Sequence, residues 1–412
     1  MGTRRESGRA GGGRRWAVFG WPARAAGLVL ALALAVPVTL PAASGAAAPI
    51  LFGASVSQSG VFARASHAQI TAYRLAEEVI NSQGGILGRP LRLVIYDDQS
   101  SASQGVILYR RLVYQDKVDL LLGPFSSAVT FAVAPVVDQM RVPMVAPQAA
   151  DPKIWSEGRR YVFGVLPRGD SYLNGAVELA KQHNLHTLAL VYQNTAQPIA
   201  AAGGIRERAK ALGLSVVMDE SYPTDASDFT EQMSKAKRLG ADVVIGGGYI
   251  NDEIGIVKAA KAVGYSPKMI ALMISASDPN FIKELGADGD LVSGNTNWEP
   301  YFKTPGNADF VAAYKAKYNE DPYYDTAASY SAVVLLAQAL RAAGRVDREA
   351  VRNWLSTTKT VTLFGDYAVD KNGLQIAKQA AIFQWQKGRR VILWPASLHD
   401  GNLIIPQNFW QK

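Results

Sequence analysis

Cysteine is absent from this sequence of 412 residues. Its absence excludes disulfide bonds, thiolate metal sites, a cysteine nucleophile and a lipid anchor attached through a cysteine. A chain of this length does not need such cross-links, because it can bury enough apolar surface to build two hydrophobic cores.

Residues that commonly carry out catalysis are also scarce. Of the four histidines, only His183 and His186 are close in sequence, and a solvated helix end explains this pair better than a metal site. The chain has no phosphate-binding Gly-x-x-x-x-Gly-Lys-Ser/Thr loop, no Gly-x-Ser-x-Gly turn and no His-Glu-x-x-His motif. Asp97 and Asp98 are adjacent after a predicted strand, where neighbouring side chains point to opposite sides, so a solvated turn is favoured over an acid/base pair. We therefore predict no enzymatic activity, no metal and no cofactor.

Positive charge is concentrated at the N-terminus. Residues 1–24 contain six arginines and one acidic residue, residues 25–40 are mostly apolar, and residues 41–48 are small and end in three alanines. This order is typical of a cleaved secretory signal, and the apolar run is shorter than the roughly 20 residues of a membrane span. We predict a signal peptide over residues 1–48 and a periplasmic mature protein, exported by the general or, given Arg14-Arg15, the twin-arginine route.

Removal of this signal changes the charge balance. The mature chain retains 37 basic and 34 acidic residues, so its net charge falls from +8 to +3. No basic cluster remains, and nucleic acid is therefore not an expected partner.

From residue 50 onward, short β-branched runs alternate with longer amphipathic stretches. The strand-like runs cover residues 50–56, 91–96, 120–122, 188–192, 216–218 and 243–245. The helical patterns between them cover residues 67–81, 103–115, 129–140 and 251–263. Apolar strands separated by helices predict an α/β fold with parallel sheets covered on both faces.

The strand pattern repeats within the chain. The strand after Gly88 has a counterpart after Gly213, and the sequence Asp-Leu-Leu-Leu-Gly at 119–123 has a counterpart, Asp-Val-Val-Ile-Gly, at 242–246. Although glycine-flanked strands are common, the two pairs have nearly the same offset, 125 and 123 residues. This agreement favours two similar doubly wound lobes over one large sheet.

The C-terminal part predicts a return of the chain to both lobes. Helical patterns at 327–341 and 347–356 precede two strand-like runs, 380–386 and 390–394, which flank the hairpin sequence Lys387-Gly388-Arg389. We predict two doubly wound α/β lobes joined by a multi-crossover hinge that permits closure. The predicted bounds are residues 49–168 and 298–362 for lobe I, and residues 169–297 and 363–412 for lobe II.

Ligands of doubly wound lobes bind at the carboxyl ends of strands, where loops lead into helix N-termini. Three loops of the first half are rich in small and hydroxyl residues, at 55–62, 123–128 and 146–152. Backbone N–H and hydroxyl groups at a helix start can hold an anion, for which Ser126 and Ser127 are the best candidates. Serine is also an ordinary N-cap or turn residue, and this alternative applies equally to Ser57 and Ser59.

One loop of the second half has similar features. Three glycines, residues 246–248, precede Tyr249. The glycines permit close approach of the backbone to a ligand that Tyr249 covers, or they only form a tight strand-to-helix turn.

Six segments share a pattern with a known family, at residues 78–91, 122–127, 247–253, 261–264, 364–373 and 383–385. The most specific run, residues 81–91, reads Asn-Ser-Gln-Gly-Gly-Ile-Leu-Gly-Arg-Pro-Leu. Through these segments the chain resembles the periplasmic leucine/isoleucine/valine-type binding proteins, the hydrophobic amino acid and amide branch of ABC-transporter substrate-binding proteins.

The resemblance implies the type I periplasmic binding fold, with the ligand between the lobes. It implies that Ser126 holds a ligand carboxylate with help from residues 148–150, that Tyr249 covers the apolar part, and that Asp170 matches an aspartate frequent in the family. Together with the loop residues above and those discussed below, the predicted ligand-binding residues are Ser57, Ser59, Phe62, Ser126, Ser127, Gln148, Ala149, Ala150, Asp170, Gln197, Tyr249, Ser275 and Trp298.

The chain departs from the family pattern in two places. Thr-Ala-Gln-Pro at 195–198 replaces a frequent Tyr-Gly, and residues 273–278 lack the glutamate that branched-chain amino acid binders use for the ligand ammonium. A buried ammonium without a counter-charge costs several kcal/mol. Either Asp278 or Asp170 therefore takes this role, or the ligand is an amide or an aromatic carboxylate. In the latter case Trp298 and Tyr301 line the pocket, unless they only pack the hinge.

We therefore expect a monomeric solute-binding component of an ABC importer. It would clamp an amino acid, an amide or a small, in some cases aromatic, carboxylate between its lobes and deliver it to a membrane permease. The alternatives are a ligand-sensing receptor without a transport role, which the export signal disfavours, and an exported α/β enzyme, which the missing catalytic motifs disfavour.

Overall fold

The computed structural model describes residues 47–411, so the predicted signal peptide lies almost entirely outside the described part of the chain. None of the helices within that range combines the length and the apolar character that a membrane span requires.

The first lobe is a five-stranded parallel sheet with a hydrophobic core on each face. Its strands are β1 (Ile50–Val56), β2 (Leu91–Asp97), β3 (Leu120–Leu122), β4 (Met144–Ala146) and β5 (Val162–Gly164). Its connecting helices are α1 (Ala63–Ser82), α2 (Ala102–Tyr114) and α3 (Ser127–Met140). The strand order is β2-β1-β3-β4-β5, and every pair is parallel, which confirms the predicted sheet type.

The second lobe repeats this arrangement. Its strands are β6 (Thr187–Gln193), β7 (Ser215–Tyr222), β8 (Val243–Gly247), β9 (Met269–Leu272) and β10 (Ser293–Thr296). Its helices are α4 (Asn174–Gln182), α5 (Ala196–Leu212), α6 (Thr230–Arg238), α7 (Ile250–Ala262) and α8 (Pro279–Leu285). The order β7-β6-β8-β9-β10 is that of the first lobe with each strand number raised by five.

The two aspartates of the sequence repeat have matching roles. Asp119, which precedes β3, accepts a hydrogen bond from the N–H of Leu51 in β1 at 2.8 Å. Asp242, which precedes β8, accepts one from the N–H of Thr187 in β6 at 3.2 Å. Each aspartate therefore fixes the first strand of its lobe to the neighbouring strand that the aspartate precedes, and the structure confirms the two-lobe interpretation.

After β10 the chain returns to the first lobe and then extends the second sheet. The returning elements are α9 (Asn307–Tyr318), α10 (Tyr324–Ala343), α11 (Arg348–Thr357), β11 (Thr360–Thr362) and β12 (Gly365–Tyr367). The last two strands, β13 (Ala381–Gln386) and β14 (Arg389–Trp394), form the predicted hairpin. Strand β13 also pairs with β10 in an antiparallel direction and so joins the hairpin to the second sheet. Lys387 and Gly388 both have positive φ, 53° and 74°, as a two-residue hairpin turn requires. The second sheet is therefore mixed rather than purely parallel.

The chain passes three times between the lobes. The last passage lies close to Ala380, because Ala380 packs in the core of the first lobe and Ala381 in that of the second. Leu363 and Phe364 also pack in the first core. We therefore propose that residues 363–380, predicted from sequence in lobe II, belong to lobe I.

A buried ion pair ties the second passage to the second lobe. Glu299, which is 1% exposed, accepts hydrogen bonds from the Arg390 Nε at 2.9 and 3.0 Å. Arg390 Nη1 also donates to the main-chain oxygen of Ser277 at 2.9 Å. The guanidinium therefore links β14, the segment after β9 and the crossover after β10.

Candidate functional site

A cavity lies between the two lobes, at the carboxyl ends of the parallel strands. The space within it that a water-sized sphere can reach is about 20 Å³, room for roughly one water molecule, so the cleft is nearly shut in this structure. Its wall is supplied by both lobes and by the crossovers. The lining residues are Phe125, Ser126, Ser127, Gln148, Leu166, Tyr172, Gln197, Tyr249, Ile274, Tyr324 and Asp325.

Ser126 and Ser127 lie where α3 begins. The Ser126 hydroxyl caps the helix by accepting a hydrogen bond from the N–H of Val129 at 3.1 Å. The Ser127 hydroxyl accepts from the N–H groups of Ala150 and Asp151, at 3.1 and 3.3 Å. Since both oxygens act as acceptors, each hydroxyl hydrogen remains available to a solute. The first N–H groups of a helix also lack partners within the helix and carry partial positive charge, so this corner suits an anion such as a carboxylate.

Gln148 connects the loop after β4 to the start of α10. Its side-chain nitrogen donates to the main-chain oxygen of Asp325 and to the hydroxyl of Ser329, both at 2.7 Å. The amide of Gln148 therefore fixes the first turn of α10, and with it Asp325, in the wall of the cavity.

Gln197 lies in the first turn of α5 and is buried. Neither its amide oxygen nor its amide nitrogen has a hydrogen-bond partner among residues 47–411. Since buried polar groups are nearly always paired, this amide offers an unused donor and an unused acceptor to a solute.

Tyr249 precedes α7 and forms the opposite wall of the cavity. Its N–H donates to Asp252, which also accepts from the Gln193 side chain at 2.7 Å and the Tyr222 hydroxyl at 3.4 Å. Burial raises the pKa of Asp252 to about 6. This buried network fixes the start of α7 and therefore the position of the Tyr249 ring.

Three aromatic rings meet across the cleft. The ring of Tyr249, in the second lobe, contacts Phe62 of the first lobe edge-on, with centroids 5.0 Å apart. Phe125 lies 6.1 Å from the same ring. Such contacts add roughly 0.5–1.5 kcal/mol to the apolar area that they bury. They supply an apolar surface beside the anion-binding corner.

Polar contacts also cross the cleft. At its rim, Arg64 of α1 donates to the Asn251 side-chain oxygen at 2.7 Å and forms an ion pair with Glu284. Inside, the hydroxyl of Tyr324 donates to the main-chain oxygen of Ile274 at 2.8 Å. The structure therefore has its lobes in contact, the arrangement expected of the closed form of a hinged protein.

Ile274 has an unusual backbone conformation. Its φ is 64°, in the left-handed region that a β-branched residue rarely adopts. Asn295 accepts a hydrogen bond from its N–H at 3.0 Å, while Tyr324 donates to its carbonyl. Conformations of this kind persist where the surrounding structure enforces them, frequently at binding sites.

Five of the predicted ligand-binding residues line the cavity, namely Ser126, Ser127, Gln148, Gln197 and Tyr249. Phe62 lies beside it, in contact with Tyr249. Ala149 and Ala150 do not line the cavity. Ala149 packs in the first-lobe core, and the N–H of Ala150 donates a hydrogen bond to the Ser127 hydroxyl.

Ser57 and Ser59 do not line the cavity. The Ser57 hydroxyl donates to Asp98 at 2.6 Å, and the Ser59 hydroxyl donates to Asp97 at 2.7 Å. In this structure both hydroxyls therefore bond carboxylates at the end of β2 and beyond it. The interpretation of Asp97 and Asp98 as a solvated turn was wrong for Asp98, which is fully buried and accepts hydrogen bonds from the hydroxyls of Ser55 in β1 and Ser57 in the loop after it.

The two aspartates considered for a ligand ammonium also lie outside the cavity. Asp170 forms an ion pair with Arg168. Asp278 caps α8 by accepting a hydrogen bond from the N–H of Asn280 at 2.8 Å. Each carboxylate therefore has a structural partner away from the space that a solute would occupy.

Ser275 and Trp298 are likewise separated from the cavity. The N–H of Ser275 donates to the buried carboxyl group of Glu253 at 3.4 Å. Trp298 is fully buried in the first-lobe core, and its ring N–H donates to the Leu363 carbonyl at 3.1 Å. Trp298 therefore packs the hinge, and Tyr301 is 47% exposed.

The sequence does not predict six of the lining residues as ligand contacts, namely Phe125, Leu166, Tyr172, Ile274, Tyr324 and Asp325. Leu166 and Tyr172 flank the first crossover, and Tyr324 and Asp325 are the first two residues of α10. Proximity to the predicted crossover at residues 168–169 is the one sequence signal that points to Leu166 and Tyr172.

Asp325 introduces a carboxyl group into this wall. It is 4% exposed, and burial raises its pKa well above the ordinary value. The nearby Asp278 raises the pKa further, whereas a hydrogen bond from Tyr323 lowers it. None of the other residues that line the cavity is an acid, a lysine, an arginine or a histidine.

A model of the periplasmic binding protein family matches residues 49–390. The chain belongs to this family, whose proteins bind solutes. A curated relative, the Leu/Ile/Val-binding protein homolog 8 of Brucella suis biovar 1 (strain 1330), is 26% identical over 394 residues, which cover 89% of this chain and 96% of the relative.

Two solved structures show the same architecture. The branched-chain amino acid transporter substrate-binding protein LivJ from Streptococcus pneumoniae, in complex with isoleucine, has a TM-score of 0.76 and 23% identity, and the match covers 84% of this chain and 100% of LivJ. A solute-binding protein of an ABC transporter from R. palustris, in complex with benzoate, has a TM-score of 0.75 and 19% identity, with 84% and 95% coverage. These similarities confirm the type I periplasmic binding fold.

Proposed function

We propose that this protein is the periplasmic solute-binding component of an ABC importer and holds a small carboxylate in the cleft between its lobes. The observation that carries the proposal is that two kinds of polar group meet at one cavity. The N-terminus of α3, with the hydroxyls of Ser126 and Ser127, comes from the first lobe. The unpartnered amide of Gln197 comes from the second lobe.

Closure follows from this division of contacts. A solute that touches both lobes gains its full set of hydrogen bonds only when the lobes are together, so binding stabilises the closed form. The aromatic contacts between Phe62, Phe125 and Tyr249 exclude water from the same space. Exclusion of water strengthens the hydrogen bonds to a carboxylate.

The solute is a small organic carboxylate. The space left between the closed lobes is about 20 Å³, so the lobes must separate to admit such a solute. The similar structures indicate the size of the solute, since one holds isoleucine and another holds benzoate. Tyr249, Phe125 and Leu166 would contact the apolar part of such a solute.

The proposed function includes the location of the protein and its partner in the membrane. Residues 1–48 act as a cleaved export signal, the mature protein is a periplasmic monomer, and a membrane permease receives the loaded form. The protein performs no chemistry on its solute. Its membership of a family of periplasmic binding proteins supports the location and the binding role.

Thermal unfolding against a panel of solutes tests the proposal. The purified protein is heated alone and with saturating amino acids, amides and aromatic acids. A solute present at 100 times its dissociation constant adds about 2.7 kcal/mol to the unfolding free energy, which raises Tm measurably. Stabilisation by at least one carboxylate, together with unchanged solute after prolonged incubation, is the expected result. No stabilisation by any compound would contradict solute binding, and turnover of a compound would indicate an enzyme.

Transport and sensing are separated by a second experiment. Deletion of the gene should abolish uptake of the solute identified in the thermal panel, and reintroduction of the gene should restore it. Normal uptake combined with a lost transcriptional or motile response would favour the sensor.

A further inference from the structure

We propose that Asp325 binds a positively charged group of the solute, so that the cleft selects a carboxylate with an ammonium group over a carboxylate without one. This inference rests on the proposed function, since it concerns the same cavity. It assigns the counter-charge to the hinge side of the cleft rather than to the second lobe.

The first support is the position of Asp325. It is the second residue of α10 and lines the same cavity as Ser126 and Ser127. Gln148 holds the adjoining backbone, with its side-chain nitrogen 2.7 Å from the Asp325 main-chain oxygen. The carboxyl group is therefore placed on a rigid element and not on a mobile loop.

The second support is the charge balance of the cavity. Neither lysine, arginine nor histidine is among the residues that line it, and no described cation forms an ion pair with Asp325. The neighbouring ionisable group that acts on it is another acid, Asp278. A buried carboxylate without a cation is unfavourable, and a cationic solute removes that cost.

A purely structural role explains Asp325 less well. An acid in the first turn of a helix stabilises the helix dipole, but an exposed acid does so without the cost of burial. The start of α10 already has a cap, because Thr326 accepts a hydrogen bond from the N–H of Tyr323 at 2.9 Å. The hydrogen bond from Tyr323 satisfies only part of the capacity of the Asp325 carboxylate.

Other buried acids are less suitable for this role. Asp278 caps α8, and Asp170 pairs with Arg168. Glu253 is buried in the second lobe, accepts a hydrogen bond from Ser275 and does not line the cavity. Asp325 is the acid among the residues that line the cavity.

The proposed solute therefore has two charged ends. Its carboxylate lies at the start of α3, its ammonium group lies at Asp325, and the amide of Gln197 completes the polar contacts. An α-amino acid with an apolar side chain has this chemistry, since the aromatic rings remain for the side chain.

Isothermal titration with matched pairs of solutes tests the inference. The pairs are L-leucine with 4-methylpentanoate, L-isoleucine with 3-methylpentanoate, and L-phenylalanine with 3-phenylpropanoate, and benzoate is added as an aromatic acid. The proteins are the wild type, Asp325→Asn and, as a control, Asp278→Asn. Wild type should bind at least one amino acid at least about 30-fold more tightly than its deaminated partner, as expected for a buried charge pair. Asp325→Asn should lose most of this preference by weakening the amino acid alone, and Asp278→Asn should retain it.

Each other outcome contradicts the inference in a recognisable way. Equal or tighter wild-type binding of the deaminated acids or benzoate would overturn the role of Asp325 while leaving the carboxylate-binding function intact. An unchanged preference in Asp325→Asn would do the same. No binding of any panel member would overturn both. Because Asn is isosteric with Asp and removes a buried charge, the variant should keep the wild-type Tm, which verifies that it is folded.

Discussion

Replacement of Gly204 by alanine should destabilise the protein through a contact that a neighbouring glycine does not make. Gly204 lies in α5, where the helix packs against the turn Gly169–Ser171 of the first crossover. A Cβ atom at this position would lie 1.6 Å from the main-chain oxygen of Asp170 and 2.7 Å from its carbonyl carbon. Backbone atoms cannot rotate away as a side chain can, so α5 must move by more than an ångström relative to the crossover.

The expected magnitude follows from two opposing effects. Overpacking costs typically about 1–3 kcal/mol and occasionally more, and the collision here is with backbone. Alanine in a helix is favoured over glycine by about 1 kcal/mol. Since the overlap is severe, we expect a net loss of at least about 1–2 kcal/mol for Gly204→Ala. Gly203→Ala is a matched control, because a Cβ at Gly203 meets nothing within 4 Å, and it should stabilise the protein by up to about 1 kcal/mol.

Urea unfolding followed by tryptophan fluorescence measures both variants. Displacement of α5 also moves Gln197 in its first turn, so Gly204→Ala should bind solute more weakly whereas Gly203→Ala should bind normally. If Gly204→Ala is as stable as Gly203→Ala, then α5 does not pack on the crossover as described.

Three further predictions concern charged groups. Breaking the buried Arg390–Glu299 pair by Glu299→Met should lower the free energy of unfolding in urea by about 3–5 kcal/mol. The double variant with Arg390→Met should lose less than the sum of the two single variants, because the pair is coupled. Strictly additive losses would mean that the pair is not coupled. Burial raises the pKa of Asp252 from 3.8 to about 6. Between these two pH values the folded state retains a proton that the unfolded state loses, so ionisation of this group should lower the unfolding free energy by up to about 3 kcal/mol as pH rises from 4 to 6. That part of the pH dependence should vanish in Asp252→Asn, and an identical slope in variant and wild type would show that the carboxyl group ionises normally. Arg64→Ala removes a partly exposed contact between the lobes, so it should weaken solute affinity by no more than about fivefold with little change in stability. The control Lys261→Ala, which breaks the exposed pair with Asp288 within one lobe, should leave affinity unchanged. Equal effects of the two variants would argue against a role of Arg64 in closure.

The fold was largely predictable because its strands are local apolar runs. The predicted strand at residues 50–56 matches Ile50–Val56, and the run at 120–122 matches Leu120–Leu122. The repeat offsets identified the two lobes, since Asp119 and Asp242 have the same structural task. The antiparallel addition of β13 to the second sheet was not predicted, because the partner of a hairpin depends on tertiary packing.

The site was predictable only where a local signal exists. A hydroxyl at a helix start identifies Ser126, but the same composition occurs at Ser57, whose hydroxyl instead bonds the buried Asp98. Which face of a crossover points into the cleft depends on the packing of both lobes. For that reason the sequence suggested Trp298, which packs the hinge, and did not suggest Asp325.

The central claim is that the start of α3 binds the carboxylate of a solute held between the lobes. Titration calorimetry of wild type and Ser126→Ala/Ser127→Ala, with the most stabilising solute of the thermal panel, tests it most directly. The wild type should bind this solute, and the double variant should remain folded but bind it at least about tenfold more weakly, the loss expected for hydrogen bonds to a charged group. Equal affinity in the two proteins would contradict the claim and place the carboxylate elsewhere.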